Sequence, residues 1–132
     1  MTIAQITGEA LIGGVAQRGA GGSFKAWNPT TREHIEPAFH MVDKDQIDQA
    51  CRLAGAAFDI FRNTTDEERA AFLDTVAEQI MALGDALVER AMAETGLPRG
   101  RIEGERGRTC NQLKLFGSLL REGSWQDPRI DP

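Results

Sequence analysis

The chain has 132 residues, 41% of them hydrophobic and 27% charged, which is the profile of a soluble globular protein of about one domain. Its net charge of −5, from 20 acidic and 15 basic residues mixed along the sequence, argues against nucleic-acid and anionic-membrane partners, both of which select a basic face. Two distant cysteines, Cys51 and Cys110, without a Cys-x-x-Cys pair or a histidine at ligand spacing, argue against a zinc site or a disulfide framework.

The first residues, MTIAQITGEALIGG, lack a basic start followed by a long apolar run, and no window approaches the ~20 apolar residues of a membrane span. The cytoplasm is the expected compartment. Ala10-Leu11-Ile12 reads as a strand ending at Gly13-Gly14. Gly19-Ala20-Gly21-Gly22 is expected to turn the chain into a second strand, Ser23 to Trp27, closing a hairpin. Asn28-Pro29-Thr30-Thr31 has turn chemistry, with Pro presetting φ and Asn favoured at the first position. His34 to Val42 is expected to be a third extended segment, held to an edge or shortened by Pro37. The glycines do not form a phosphate cradle on this reading, since Gly22 leads into a strand and neither phosphate-loop spacing occurs.

Asp43, three residues before Gln46, has capping-box spacing and opens the helical part. Ile47, Ala50, Cys51, Ala54, Ala57, Phe58 and Phe61 then form one apolar helix face, with Cys51 expected to be a buried small hydrophobe. Thr65-Asp66-Glu67-Glu68 is a second capping box. Its helix carries Leu73, Val76, Ile80, Leu83, Leu87 and Ala91 inward, with Asp66, Glu67, Glu68, Arg69, Asp74, Glu78, Glu89 and Arg90 outward. Gly84-Asp85 should kink or split that helix, with Asp85 capping the second half.

Thr95-Gly96-Leu97-Pro98 is a helix stop: a glycine free to turn left-handed, then a proline that cannot continue the helix. The next helix presents Ile102, Arg106, Thr109, Leu113, Phe116 and Leu120 on one stripe, with Leu115 and Leu119 as a second apolar edge. Arg106 is expected to pair with a carboxylate from Glu94, Glu103 or Glu105. Beyond Gly123 the two prolines of the tail exclude regular structure, leaving Trp125 on an extended segment in need of a partner surface.

The elements predicted are therefore an N-terminal hairpin and short strand, then three to four helices over about 44–62, 66–83, 85–95 and 99–122. The expected organisation is 1–42 hairpin and extended segment, 43–122 helical part, and 123–132 tail. No catalytic constellation is evident. His34 and His40 read as solvent-exposed strand residues without an acidic orienter, and no carboxylate pair shows a pattern of burial.

The order of these motifs resembles the N-terminal region of the NAD(P)-dependent aldehyde dehydrogenase superfamily. Phe24-x-x-Trp27-Asn28-Pro29-Thr30-Thr31 comes first, then the helix ending Ala56-Ala57-Phe58. Glu68-Arg69-Ala70-Ala71-Phe72-Leu73 and Glu94-Thr95-Gly96-Leu97-Pro98 complete the series. Ala93 to Pro98 followed by Arg101-Ile102-Glu103-Gly104-Glu105-Arg106-Gly107-Arg108-Thr109-Cys110-x-Gln112-Leu113-x-Leu115-Phe116 most resembles its α-ketoglutaric semialdehyde (2,5-dioxovalerate) dehydrogenase branch. The resemblance implies that this chain is an α+β fragment of an α/β enzyme, from about Ala10 to Pro132, scaffolding the cofactor domain.

In that family a cysteine thiolate attacks the aldehyde carbonyl. An asparagine and a backbone N–H steady the oxyanion, hydride passes to nicotinamide, and a glutamate activates water. None of those positions matches here. Cys110 precedes Gln112, the reverse of the family's Gln-x-Cys order, so the resemblance implies no catalytic, cofactor-binding or metal residue in this chain. NAD or NADP belongs to the full-length parent, expected to be a homo-oligomer, and the remainder of that polypeptide is the expected partner. The alternatives are a free-standing helical interaction module docking through the Ile102 to Leu120 stripe, and a small regulator binding a dicarboxylate or phosphate at Arg101, Arg106 and Arg108.

Overall fold

In a computed structural model, which describes residues 6–127, the chain forms four short strands and then four α-helices. Strands β1 (Ala10–Ile12) and β2 (Val15–Gln17) pair antiparallel, and β3 (Ser23–Asn28) pairs antiparallel with β4 (Glu33–His40), so there are two separate two-stranded sheets. The hairpin therefore closes at Gly13-Gly14 rather than across Gly19 to Gly22. Both Gly13 (φ 60°) and Gly14 (φ 80°) are left-handed, as the tight two-residue turn between twisted strands requires.

The glycine-rich segment has another role. Gly21 N–H donates to the Met41 carbonyl at 2.8 Å, Met41 N–H returns a bond to Gly22, and a Cβ on Gly19 would stand 2.2 Å from the Met41 oxygen. Backbone lies on backbone there, which only glycine permits.

The Asn28 turn forms as its sequence suggests. The Asn28 side-chain oxygen accepts from the N–H groups of Thr30 (2.9 Å) and Thr31 (3.2 Å), and the Asn28 carbonyl accepts from Arg32. The ladder between β3 and β4 slips after Lys25, whose partner is Ala38, whereas Ala26 faces Ile35. Glu36 and Pro37 are the two extra residues of that bulge, which removes the proline from the ladder it could not join.

The helices are α1 (Lys44–Arg62), α2 (Asp66–Ala82), α3 (Gly84–Thr95) and α4 (Arg99–Glu122), within a residue of the predicted bounds. Reciprocal capping boxes start the first two: Asp43 with Gln46, and Thr65 with Glu68. The Glu68 carboxyl is held below its ordinary range by bonds from the Thr65 backbone and hydroxyl. Gln46 does more than cap, since its amide also accepts from Ala20 N–H and donates to the Arg18 carbonyl, fastening the glycine segment to the start of α1. Gly84 (φ 56°) separates α2 from α3, Gly96 (φ 70°) ends α3, and Gly123 (φ 79°) ends α4. Asp85 is not a cap; its carboxylate accepts from Arg99 at 2.8 Å.

By its contacts the chain divides into two compact units: residues 1–63 with 90–97, and residues 64–89 with 98–132. Helix α1 thus belongs with the strands and the second half of α3, whose first half goes with α2 and α4. In the strand unit, Ile12 is buried, Phe24 stacks on Phe39 with centroids 5.7 Å apart, and the Arg90 guanidinium lies over Phe39. In the helical unit, α2 and α4 run antiparallel, with small residues where they approach most closely. Ala70 and Ala77 of α2 are wholly buried, and Cys110 and Gly117 of α4 are buried against them. The Cys110 thiol donates to the Ala77 carbonyl at 3.5 Å, and a Cβ on Gly117 would lie 3.4 Å from the Ala70 oxygen.

Thr109 and Phe116, expected on the packed stripe of α4, face outward instead. The seam needs narrow side chains so that the two backbones can come together, and that requirement rotates the larger apolar residues away from it. After Gly123, Ser124–Gln126 forms a single 3-10 turn rather than an extended segment, because Gln126 N–H bonds back to Gly123 and the Gln126 amide reaches Asp66. Residues 128–132 of the expected tail lie outside the described residues.

Gly117→Val would push branched methyl groups into that approach and should cost about 1–3 kcal/mol, read as a lower urea midpoint. Thr65→Ala should cost about 1 kcal/mol through the lost cap, with Thr65→Asp restoring most of it.

Candidate functional site

The features most able to do something in this chain are its uncovered apolar faces. Among the described residues the buried hydrophobic side chains are Ile12, Ala70, Ala77, Val88 and Cys110, whereas Phe58 is 61% exposed, Ile60 76% and Leu115 64%. Helix α1 is the clearest case. It buries no residue, although Ile47, Ala50, Ala54, Ala57 and Phe58 form a continuous apolar stripe along it. Cys51, expected to be buried on that stripe, is exposed. The stripe has the period of a packing face, but no element of its own unit covers it.

A second uncovered region lies on the helical unit, where Leu73, Phe116, Leu119, Leu120 and Trp125 line an open, almost wholly apolar hollow of about 430 Å³. Trp125 is half-exposed at its rim, carried there by the turn after α4. Apolar surface of this kind stabilises a protein only when something dry covers it, at roughly 25 cal/mol per Å².

Many of the charged side chains pair with one another in clamps. Arg121 bridges α4 to α2, with Nε and Nη2 donating to the two Glu67 oxygens (2.8 and 3.0 Å) and Nη1 donating to Asp74 (2.8 Å). The Arg121 hydrogen bond, helped by the Arg121 charge, holds the Glu67 carboxyl below its ordinary value, against the opposing effects of desolvation and, less, of Asp74. Those same carboxylates raise the Arg121 pKa. Arg101 and Arg108 both pair with Glu105, at 2.8 and 2.7 Å, so a dicarboxylate site at Arg101, Arg106 and Arg108 would have to displace partners already in place.

Among the described residues Arg106 does not pair with a carboxylate. Its Nη1 donates to the Gly84 carbonyl at 3.0 Å, at the break between α2 and α3. The acids expected for it are engaged elsewhere, Glu94 with Arg90, Glu103 with Arg99, and Glu105 as above. Arg90, expected to look outward, is only 18% exposed, because it lies over Phe39 and donates to the Glu36 carbonyl.

Both histidines lie on β4. His34 is exposed, edge-on to Trp27 at 5.1 Å. His40 is half-buried rather than exposed, its backbone N–H bonded to the Gly8 carbonyl. Among the described residues no group of three or more His, Cys, Asp or Glu could hold a metal ion, and no helix is long and apolar enough to cross a membrane. The glycines do not fit a dinucleotide either. Gly19 and Gly21 lie against the Met41 backbone where phosphates would need open space, and Gly22 leads into β3 instead of a helix.

The described residues thus offer capped helices, ion-pair clamps and open apolar faces, and comparison with known proteins gives the family. The aldehyde dehydrogenase family model matches residues 16–129. The chain belongs to the aldehyde dehydrogenase family. It is 48% identical over 129 residues to alpha-ketoglutaric semialdehyde dehydrogenase 2 of Azospirillum brasilense, covering 97% of this chain and 25% of that protein. With the alpha-ketoglutaric semialdehyde dehydrogenase of Acinetobacter baylyi it shares 40% over 124 residues, covering 94% of this chain and 24% of that one. The chain thus spans about a quarter of the length of these relatives.

Among solved structures, the NAD-dependent benzaldehyde dehydrogenase of Corynebacterium glutamicum superposes with a TM-score of 0.81 at 25% identity, over 90% of this chain and 26% of that one. Succinate-semialdehyde dehydrogenase of Burkholderia pseudomallei gives 0.76 at 26% identity, over 83% of this chain and 23% of that one. The fold of this aldehyde dehydrogenase segment is therefore one also found within these longer chains.

Glu67 has an ordinary pKa of 4.5 that folding lowers, so its share of stability is present above that value and fades as pH falls through the lowered one. Acid titration should therefore loosen α2 from α4 below about pH 4.5, and Arg121→Gln should flatten that dependence, as tracked by helix circular dichroism. Phe58→Ser and Phe116→Ser should change stability by no more than about 0.5 kcal/mol while reducing binding of an apolar dye.

Proposed function

We propose that this chain is the N-terminal scaffold portion of an NAD(P)-dependent aldehyde dehydrogenase. The parent enzyme oxidises a semialdehyde, 2,5-dioxovalerate, to the carboxylic acid. Membership of the family and the names of the two relatives support the reaction class and the substrate. The observation that carries the scaffold role is the open apolar stripe of α1, because a face so regular yet uncovered in its own unit is built to lie against further protein.

On this reading the remainder of the aldehyde dehydrogenase polypeptide covers those faces. NAD or NADP binds in that remainder, and none of this chain's residues performs a chemical step. The glycine segment that does not fit a dinucleotide and the engaged state of the arginines support that assignment. A cytoplasmic location and a homo-oligomeric parent rest on family membership. The same apolar faces weigh against a free-standing interaction module, which would close its core from within.

The test is a segment exchange. Replacing the matching 129-residue segment of the Azospirillum brasilense relative with this chain should give a soluble enzyme that still oxidises its semialdehyde. The isolated chain, given NAD or NADP and the same aldehyde, should form no reduced nicotinamide and bind neither cofactor by calorimetry. Turnover by the isolated chain, or an insoluble exchange protein beside an isolated chain that unfolds in one cooperative step, would overturn the proposal.

A further inference from the structure

We draw no further inference here: the strongest candidate, the open apolar hollow that Leu73, Phe116, Leu119, Leu120 and Trp125 line on the helical unit, belongs to the surface already described, and nothing in the structure shows what else covers it.

Discussion

The close approach of α2 and α4 is the constraint on which the helical unit depends. Two backbones can come this near only where side chains are narrow, and each helix supplies two such residues seven positions apart: Ala70 and Ala77 on one, Cys110 and Gly117 on the other. Once that seam is set, the rest of α4 has no rotational freedom left. Leu113 and Leu120 fall beside the seam and become half-buried, while Leu115 is left exposed and Phe116 and Leu119 stay open along the hollow they share with Leu73. The Arg121 clamp to Glu67 and Asp74 and the Arg106 bond to the Gly84 carbonyl then fasten two ends of the same pairing. These polar ties fix register more than they add free energy, since exposed ion pairs are individually worth ~0–1 kcal/mol.

In the strand unit the corresponding constraint is backbone against backbone. Gly8 and Gly19 sit where a Cβ would meet the carbonyls of Ala38 and Met41, so the chain before β3 can lie directly on the end of β4. Gln46 fastens that arrangement to α1 with a single side chain that caps the helix and holds the glycine segment. The glycine cluster therefore serves tight packing, which removes the space that phosphate binding would require.

Both units form their helix caps and ion-pair clamps while leaving large apolar side chains open. Destabilised proteins lose caps and ion pairs along with their cores; here capping boxes, left-handed glycine ends and clamps are all formed. Local structure is therefore formed in both units without closure of their apolar faces, in a chain that spans about a quarter of the length of its relatives.

The sequence by itself determined the elements of this aldehyde dehydrogenase segment. Capping boxes, the Gly84 break, the Gly96-to-Pro98 stop and the Asn28 turn are short-range devices, encoded within a few residues of where they act, and each forms as its residues dictate. Tertiary structure alone decided pairing and facing. Periodicity marks Ile102 to Leu120 as apolar, but which narrow strip of a helix is innermost depends on what it meets, so Cys110 and Gly117 displaced Thr109 and Phe116. The seven-residue spacing of small residues in both helices was the signal available for that seam. Likewise Gly13-Gly14 closes the first hairpin instead of Gly19 to Gly22, and Cys51 stays exposed, because a side chain's burial is set by a neighbour distant in the chain or supplied from elsewhere.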